Sequence, residues 1–304
     1  MAIPSLKIKI RKLNRRDLVR VILFFALVGT ALVLGAAFGA YFAIKDNLPS
    51  VSDLETFQPK IITTLYAASG EPIREFAEQR RIEVRYDQIP DILIKAIVAT
   101  EDSRFFSHSG IDFLGILRAA RDDIMKIPVG KRPQGASTIT QQLARDLFLH
   151  RDVSLRRKLK EMFLAREIEK HYSKRKILEL YCNHFYLGHG AWGVESASNL
   201  FFGKSVKDLS LEEAALIAGI FQRPARYSPY DNPAVTLERR NHVLNRMAEA
   251  GYVSKERAES AKKTPLNVLP LRQTSDEFAA YFFEEVRKYI DKNYGSGALY
   301  NGGL

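Results

Sequence analysis

Hydrophobic positions follow three different patterns along the 304-residue chain. The first is an unbroken run: the 24 residues from Val21 to Ile44 carry no charge. As a helix rising ~1.5 Å per residue this run would extend about 36 Å, enough for a hydrocarbon core of about 30 Å. The second pattern is strand-like, over Ile61–Tyr66, Ile73–Phe76 and Arg81–Tyr86 around a Ser69-Gly70-Glu71-Pro72 turn, and predicts a small β element. From Pro90 onward apolar residues recur at helical spacing. They predict helices over Asp91–Ala99, Asp112–Met125, Ser137–Phe148, Leu155–His171, Lys174–Tyr181 and Trp192–Phe202. A capping box at Ser210-Leu211-Glu212-Glu213 opens another helix toward Phe221; Pro233 suits a first turn, Gly251 a stop, and Ser254 a cap for a last short helix. Beyond Pro265 and Pro270 one helical stretch, Phe278–Tyr289, precedes a glycine-rich end at Tyr294–Leu304.

Charge orients this plan. Lys7, Lys9, Arg11, Lys12, Arg15, Arg16 and Arg20 stand before the apolar run against only Asp17. By the positive-inside rule residues 1–20 form a cytoplasmic tail, 21–44 a single-pass transmembrane anchor, and the rest lies outside. A cleaved signal peptide is the alternative: its apolar region normally runs about 7–15 residues, but small-x-small triplets such as Gly35-Ala36-Ala37 allow cleavage. Gly35 and Gly39 form a GxxxG that could pack on another helix. The whole chain carries 46 Lys+Arg against 35 Asp+Glu, a net +11, which asks for an anionic partner. One cysteine, Cys182, excludes an intrachain disulfide, and His184 and His189 are not at a zinc spacing. The organisation is then a membrane-proximal segment with the β element at 45–88, a mainly α domain at 89–265, and the start of a further segment at 266–304.

Three stretches carry candidate chemistry. Glu101-Asp102 closes an apolar helix and is followed by Arg104, Phe105, Phe106, His108 and Gly110. A carboxylate beside apolar groups loses hydration, its pKa rises, and it becomes a better general base; Glu101 is the candidate, with a solvated turn as the alternative. Gln134–Arg145 opens a helix with small and hydroxylated residues, which suits either an anion site or an ordinary serine cap. Arg157, Lys158 and Glu161 share a helix face, as surface salt bridges also do. From Arg145 to Lys176, however, 11 basic residues stand against 5 acidic ones, a field suited to a pyrophosphate.

Together with Lys174–Asn183, Tyr186–Lys204 and Leu209–Arg240, these stretches resemble the five ordered motifs of the family 51 peptidoglycan glycosyltransferases, from about residue 64 onward. The tail from Phe278 resembles the linker that leads into the transpeptidase domain of class A penicillin-binding proteins. The short distance from the apolar run to Glu101 is more like their 1A than their 1B type. The resemblance implies a mainly α, lysozyme-like, two-lobed domain with a small β element, preceded by one transmembrane helix. It would sit at the bacterial cytoplasmic membrane and polymerise lipid II into β-1,4 glycan strands, with inversion and release of undecaprenyl pyrophosphate.

By position, the resemblance makes Glu101 the base for the acceptor 4-hydroxyl. Glu161 becomes the second carboxylate, organising the donor pyrophosphate with or without a divalent cation (Mg or Mn); no other cofactor is expected. Ser137, Gln141, Gln142, Arg145, Arg157 and Lys158 match substrate-contacting positions, and Asp102, Phe105 and His108 match positions that shape the cleft. Partners would be lipid II, the growing glycan, the membrane and other wall-synthesis proteins, not nucleic acid. Val153 stands where many relatives carry a basic residue, which would leave that contact to Arg151 or Arg156; Cys182 and Phe201 replace larger or hydroxylated residues as packing changes. Ser173–Lys176 and Ser260–Lys263 fit S-x-x-K, but no S-x-N or K-T-G follows, so no penicillin-reactive serine is expected. A muramidase or lytic transglycosylase and an inactive membrane-anchored scaffold are the competing readings. The cations around the second carboxylate favour pyrophosphate release over a protonated acid at a glycosidic oxygen. Glycines and prolines between Phe106 and Gly135 suggest a flap over the cleft.

Overall fold

The computed structural model describes residues 14–45, 63–70, 72–76, 80–126, 137–149, 154–271 and 277–295. The chain divides into two compact units, Met1–Pro49 and Ser50–Leu304. In the first, α1 (Arg15–Lys45) is one 31-residue helix over the uncharged run, with Asp17 in its first turn. Ile22, Leu23, Phe24 and Phe25 are all more than half exposed, so apolar groups face every direction around the axis. Several α1 side chains from position 33 onward lie outside the described residues. Among the described residues no helix is long and apolar enough to cross a membrane. A Cβ at Gly35 or Gly39 would meet nothing within 4 Å, so the GxxxG face is open.

The second unit begins with an antiparallel hairpin of β1 (Thr63–Tyr66) and β2 (Pro72–Phe76), paired Thr64 to Glu75 around Gly70 at φ 86°. The expected strand over Arg81–Tyr86 is instead a two-residue β3 (Arg80–Arg81). The reason lies in the pairing: the Asn183 side chain accepts from Val84 N–H at 3.0 Å and donates to Val84 C=O at 2.8 Å, replacing a ladder partner. A 3-10 turn, Tyr86–Gln88, follows at once, its first N–H bonded to Glu179.

Helices then dominate: α2 (Asp91–Glu101), α3 (Phe113–Lys126), α4 (Ile139–Phe148), α5 (Leu155–His171) and α6 (Lys174–His184). A short hairpin, β4 (Tyr186–Gly188) and β5 (Ala191–Trp192), comes next, with β5 also pairing parallel to β3. The helix expected from Trp192 starts only at α7 (Val194–Phe202), because Gly193 at φ 79° turns the chain there. A Cβ on Gly193 would come within 2.8 Å of the Asn183 carbonyl, so the turn requires glycine. Then come α8 (Leu211–Ile220), α9 (Pro233–Glu249), α10 (Lys255–Lys262) and α11 (Glu277–Tyr294).

Two helix groups hold the core. α2 lies against α8 and α9, with α10 on α9; α4 lies against α5 and α6. α8 is apolar on every side and buried from Ala214 to Ile220, which suits a central helix. Leu93 and Ile97 of α2 are fully buried, and truncating either to alanine would cost about 2–5 kcal/mol. α11 buries Phe283 against Val286, Ile290 and Leu65 of β1, so the first hairpin and the last helix share a small cluster of their own.

Candidate active site

Glu101 is the last residue of α2, where the apolar spacing that buries Leu93, Ile94, Ile97 and Val98 carries its side chain inward as well. That side chain is only 8% exposed. Its Oε2 accepts a hydrogen bond from Gln142 Nε2 at 3.1 Å, and its Oε1 lies 3.4 Å from the Arg239 guanidinium. Gln142 is itself fixed: its Oε1 accepts from the hydroxyl of Tyr181, a fully buried ring stacked on Phe221 at 4.9 Å. Burial pushes the Glu101 carboxyl above its usual range; Gln142, Arg239 and Arg145 oppose this, and Asp102 adds to it. Burial likewise pushes the Tyr181 phenol well up, keeping it a neutral donor.

The next three positions are scaffolding. Asp102 caps α2 and is buried; its carboxylate faces His108 Nε2 at 2.9 and 3.1 Å and accepts from Ile139 N–H at 3.1 Å. That last bond alters the expected anion site at the start of α4, because Asp102 already occupies its first N–H. Thr138, not Ser137, is the N-cap, in a capping box with Gln141. Gln141 is thereby buried, its Oε1 accepting from Thr138 N–H at 3.1 Å, while its Nε2 has no hydrogen-bond partner. Phe105 is fully buried with the Lys174 ammonium 4.2 Å from its ring centre.

Glu161 lies on α5 with its side chain 1% exposed, yet in opposite company. Lys158 Nζ donates to Glu161 Oε2 and to Ser137 Oγ, both at 2.8 Å. Arg157 Nε stands 3.3 Å from the other oxygen, at ion-pair distance without hydrogen-bond alignment. Ser137, Arg157, Lys158 and Glu161 therefore form one cluster, and α4 links it to the Glu101 cluster. Glu161 Oε2 is hydrogen-bonded to Lys158, while Oε1 accepts no hydrogen bond; among the described residues no three metal-ligating side chains converge. Arg156, Lys160 and Arg166 make no ion pair with a carboxylate among the described residues, so part of the basic field remains unneutralised. Beside α5 opens a cavity of about 640 Å³, with Phe113, Leu114, Leu159, Phe163, Arg104 and Arg166 among its walls.

Other candidates resolve simply. Arg151, Val153 and residues 127–135 of the expected flap lie outside the described residues, whereas the flap stretch up to 126 is described and carries α3. Cys182 is buried, with its thiol pushed up by desolvation. His184 pairs with Asp146 at 2.9 Å and His189 with Ser228 at 2.8 Å, while Ser173 caps α6.

A family model described as Transglycosylase matches residues 69–248, more than half of the chain. The chain belongs to the transglycosylase family. Penicillin-binding protein 1A of Aquifex aeolicus (strain VF5) is 45% identical over 261 residues, covering 86% of this chain and 35% of that protein. Penicillin-binding protein 1A of Escherichia coli (strain K12) is 40% identical over 284 residues, 93% of this chain and 33% of that one. The crystal structure of Penicillin-Binding Protein 1A from Haemophilus influenzae matches with a TM-score of 0.51 at 28% identity, over 81% of this chain and 26% of that one. This transglycosylase chain spans about a third of the length of the curated relatives it matches.

Two residues of the Glu101 cluster were not singled out by sequence reasoning: Tyr181 and Arg239. Consecutive helical residues point about 100° apart. Arg239 accordingly reaches Glu101, whereas Arg240 is buried and donates to the carbonyls of Lys262, Thr264 and Pro265, tying down the end of α10. The Glu238-Arg239-Arg240 triplet was visible in the sequence, but not which arginine faced the cleft.

Proposed function

We propose that this domain polymerises lipid II into β-1,4 glycan strands with inversion, releasing undecaprenyl pyrophosphate, in bacterial cell-wall synthesis. The observation that carries the reading is the pairing of two buried carboxylates in opposite surroundings: Glu101 pushed up by burial, Glu161 clasped by Lys158 and Arg157. Glu101 takes the proton of the acceptor 4-hydroxyl as that oxygen bonds to the anomeric carbon of the growing chain. The bond from that carbon to the pyrophosphate oxygen breaks, and the leaving group departs with the electron pair. Cations supply what the leaving group needs, because a pyrophosphate is stabilised by charge and does not require protonation. Arg145, Arg157 and Lys158 are the candidates, with Ser137 holding Lys158 in place. No step is routed through a metal ion.

The mainly apolar cavity beside α5 suits the lipid portion of such a substrate. We read the two helix groups as the two lobes of a lysozyme-like fold, with the site residues drawn from both. The exposed apolar side chains at successive positions of α1 support a single-pass anchor, with residues 1–20 cytoplasmic and the catalytic domain outside. Residues 266–304, including α11, are read as the start of a linker toward a transpeptidase domain.

Incubation of the purified chain with labelled lipid II tests the reading. Glycan polymer that is lost in Glu101→Gln supports it. Release of muropeptides from finished wall material would instead indicate a lytic enzyme, and no product from either substrate a scaffold.

A further inference from the structure

We infer that Arg239 is a positioning residue for Glu101, holding the carboxylate ionised and aimed without occupying the lone pairs that receive the proton. The inference rests on the reading of Glu101 as the base. Arg239 is anchored independently of Glu101: its Nε donates to the Gly219 carbonyl of α8 at 3.2 Å, and its guanidinium lies 5.2 Å from the centre of the Tyr227 ring. The side chain is 12% exposed, so its charge acts through an interior of low dielectric. Its contact with Glu101 Oε1 is 3.4 Å, longer than the usual ~2.9 Å of an N–H···O bond. The attraction is therefore mainly Coulombic, and the carboxylate keeps acceptor capacity for a substrate hydroxyl. Gln142 fixes the other oxygen, so the carboxylate plane is set from two sides.

The surroundings leave this role to few groups. Asp102, the cap of α2, opposes ionisation of Glu101, Arg145 of α4 favours it, and Tyr181 of α6 is held neutral by burial. α8 contributes no titratable group among its buried residues, only the carbonyl that anchors Arg239. Desolvation works against ionisation, and Arg239 is the cation closest to either oxygen among the contacts described. Without it, the carboxylate would hold its proton to higher pH.

The test is the pH dependence of kcat for lipid II polymerisation by the chain, its Arg239→Gln and Arg239→Lys variants, and Glu101→Gln as control. Removing an opposite charge at this range moves a carboxylate pKa by about one unit or more. In Arg239→Gln the acidic limb is expected to move up by about one pH unit, with about tenfold less turnover below it and KM changed less than about twofold. Arg239→Lys retains a charge on a shorter reach, and its limb is expected between those of the wild type and the glutamine variant. If Arg239→Gln does not fold, the lysine variant reads the same limb. An unmoved limb, or a loss equal at every pH, overturns the inference. If Glu101→Gln still polymerises, the assignment of the base fails; if Glu101→Gln is inactive while both limbs stay put, only the role of Arg239 fails.

Discussion

Glu101 and Glu161 are almost equally hidden from water, with side-chain exposures of 8% and 1%, yet their surroundings differ in kind. Glu101 ends an apolar helix and meets one amide and one distant guanidinium. Glu161 has two cations on its own helix, three and four residues before it, both within 3.3 Å. Burial alone therefore says little about the job of a carboxylate; its counter-charges decide. A carboxylate weakly compensated in a dry place is ready to accept a proton. On the proposed function, the one clasped by cations organises the charges that meet an anionic leaving group.

The largest expected effect lies on the first side of this comparison. Glu101→Gln should lower polymerisation by about 10²–10⁴-fold, the usual contribution of a positioned general base, as measured by product formation from labelled lipid II. Glu161→Gln should cost about 10- to 100-fold in kcat/KM, equivalent to about 1.4–2.8 kcal/mol of transition-state stabilisation. It should also lower thermal stability by about 2 kcal/mol, because it leaves two part-buried cations without their partner. A scanning melt reads the second loss, and an unchanged melting temperature would mean that the clasp is not structural.

Smaller effects sharpen the Glu101 side. Since its carboxyl is raised above the ordinary value of 4.5 and must be ionised to act, turnover should fall as the pH drops through a limb above that value. Gln142→Leu removes a hydrogen bond that favours the ionised form, so the limb should move to still higher pH. At neutral pH that variant should lose about tenfold or less in rate, a test of whether the amide orients the carboxylate. The smallest effect on chemistry is expected at Gly110, whose φ is 87° and where a Cβ would lie 2.7 Å from the Ala165 carbonyl of α5. Gly110→Ala should cost about 2 kcal/mol in stability through backbone strain while leaving the pH limb in place.

The helical part of this plan was legible because its apolar spacing is regular. α5 begins and ends where the spacing of Leu155–His171 places it, and α8 opens at the capping box of Ser210 and Glu213. The β segments were not, because their partners are distant in sequence. Val84 is paired by the side chain of Asn183, and Trp192 sits in a two-residue strand that pairs with Arg81. No local pattern encodes either contact. The site divides in the same way. Glu101 and Glu161 stand in stretches that the family resemblance singled out, whereas Arg239 reaches Glu101 across 138 positions. The cap on α4 shows the opposite case: its small and hydroxylated residues suggested an anion site, and the anion there is the chain's own Asp102.

The most direct test of the account is a side-by-side measurement of lipid II affinity and single-turnover rate in Glu101→Gln and Glu161→Gln. The account predicts that Glu101→Gln binds lipid II as the wild type does and loses the chemical step, whereas Glu161→Gln loses affinity for the lipid-linked pyrophosphate together with rate. Parallel losses of binding and rate in both variants would contradict it, since the two buried carboxylates would then have the same role.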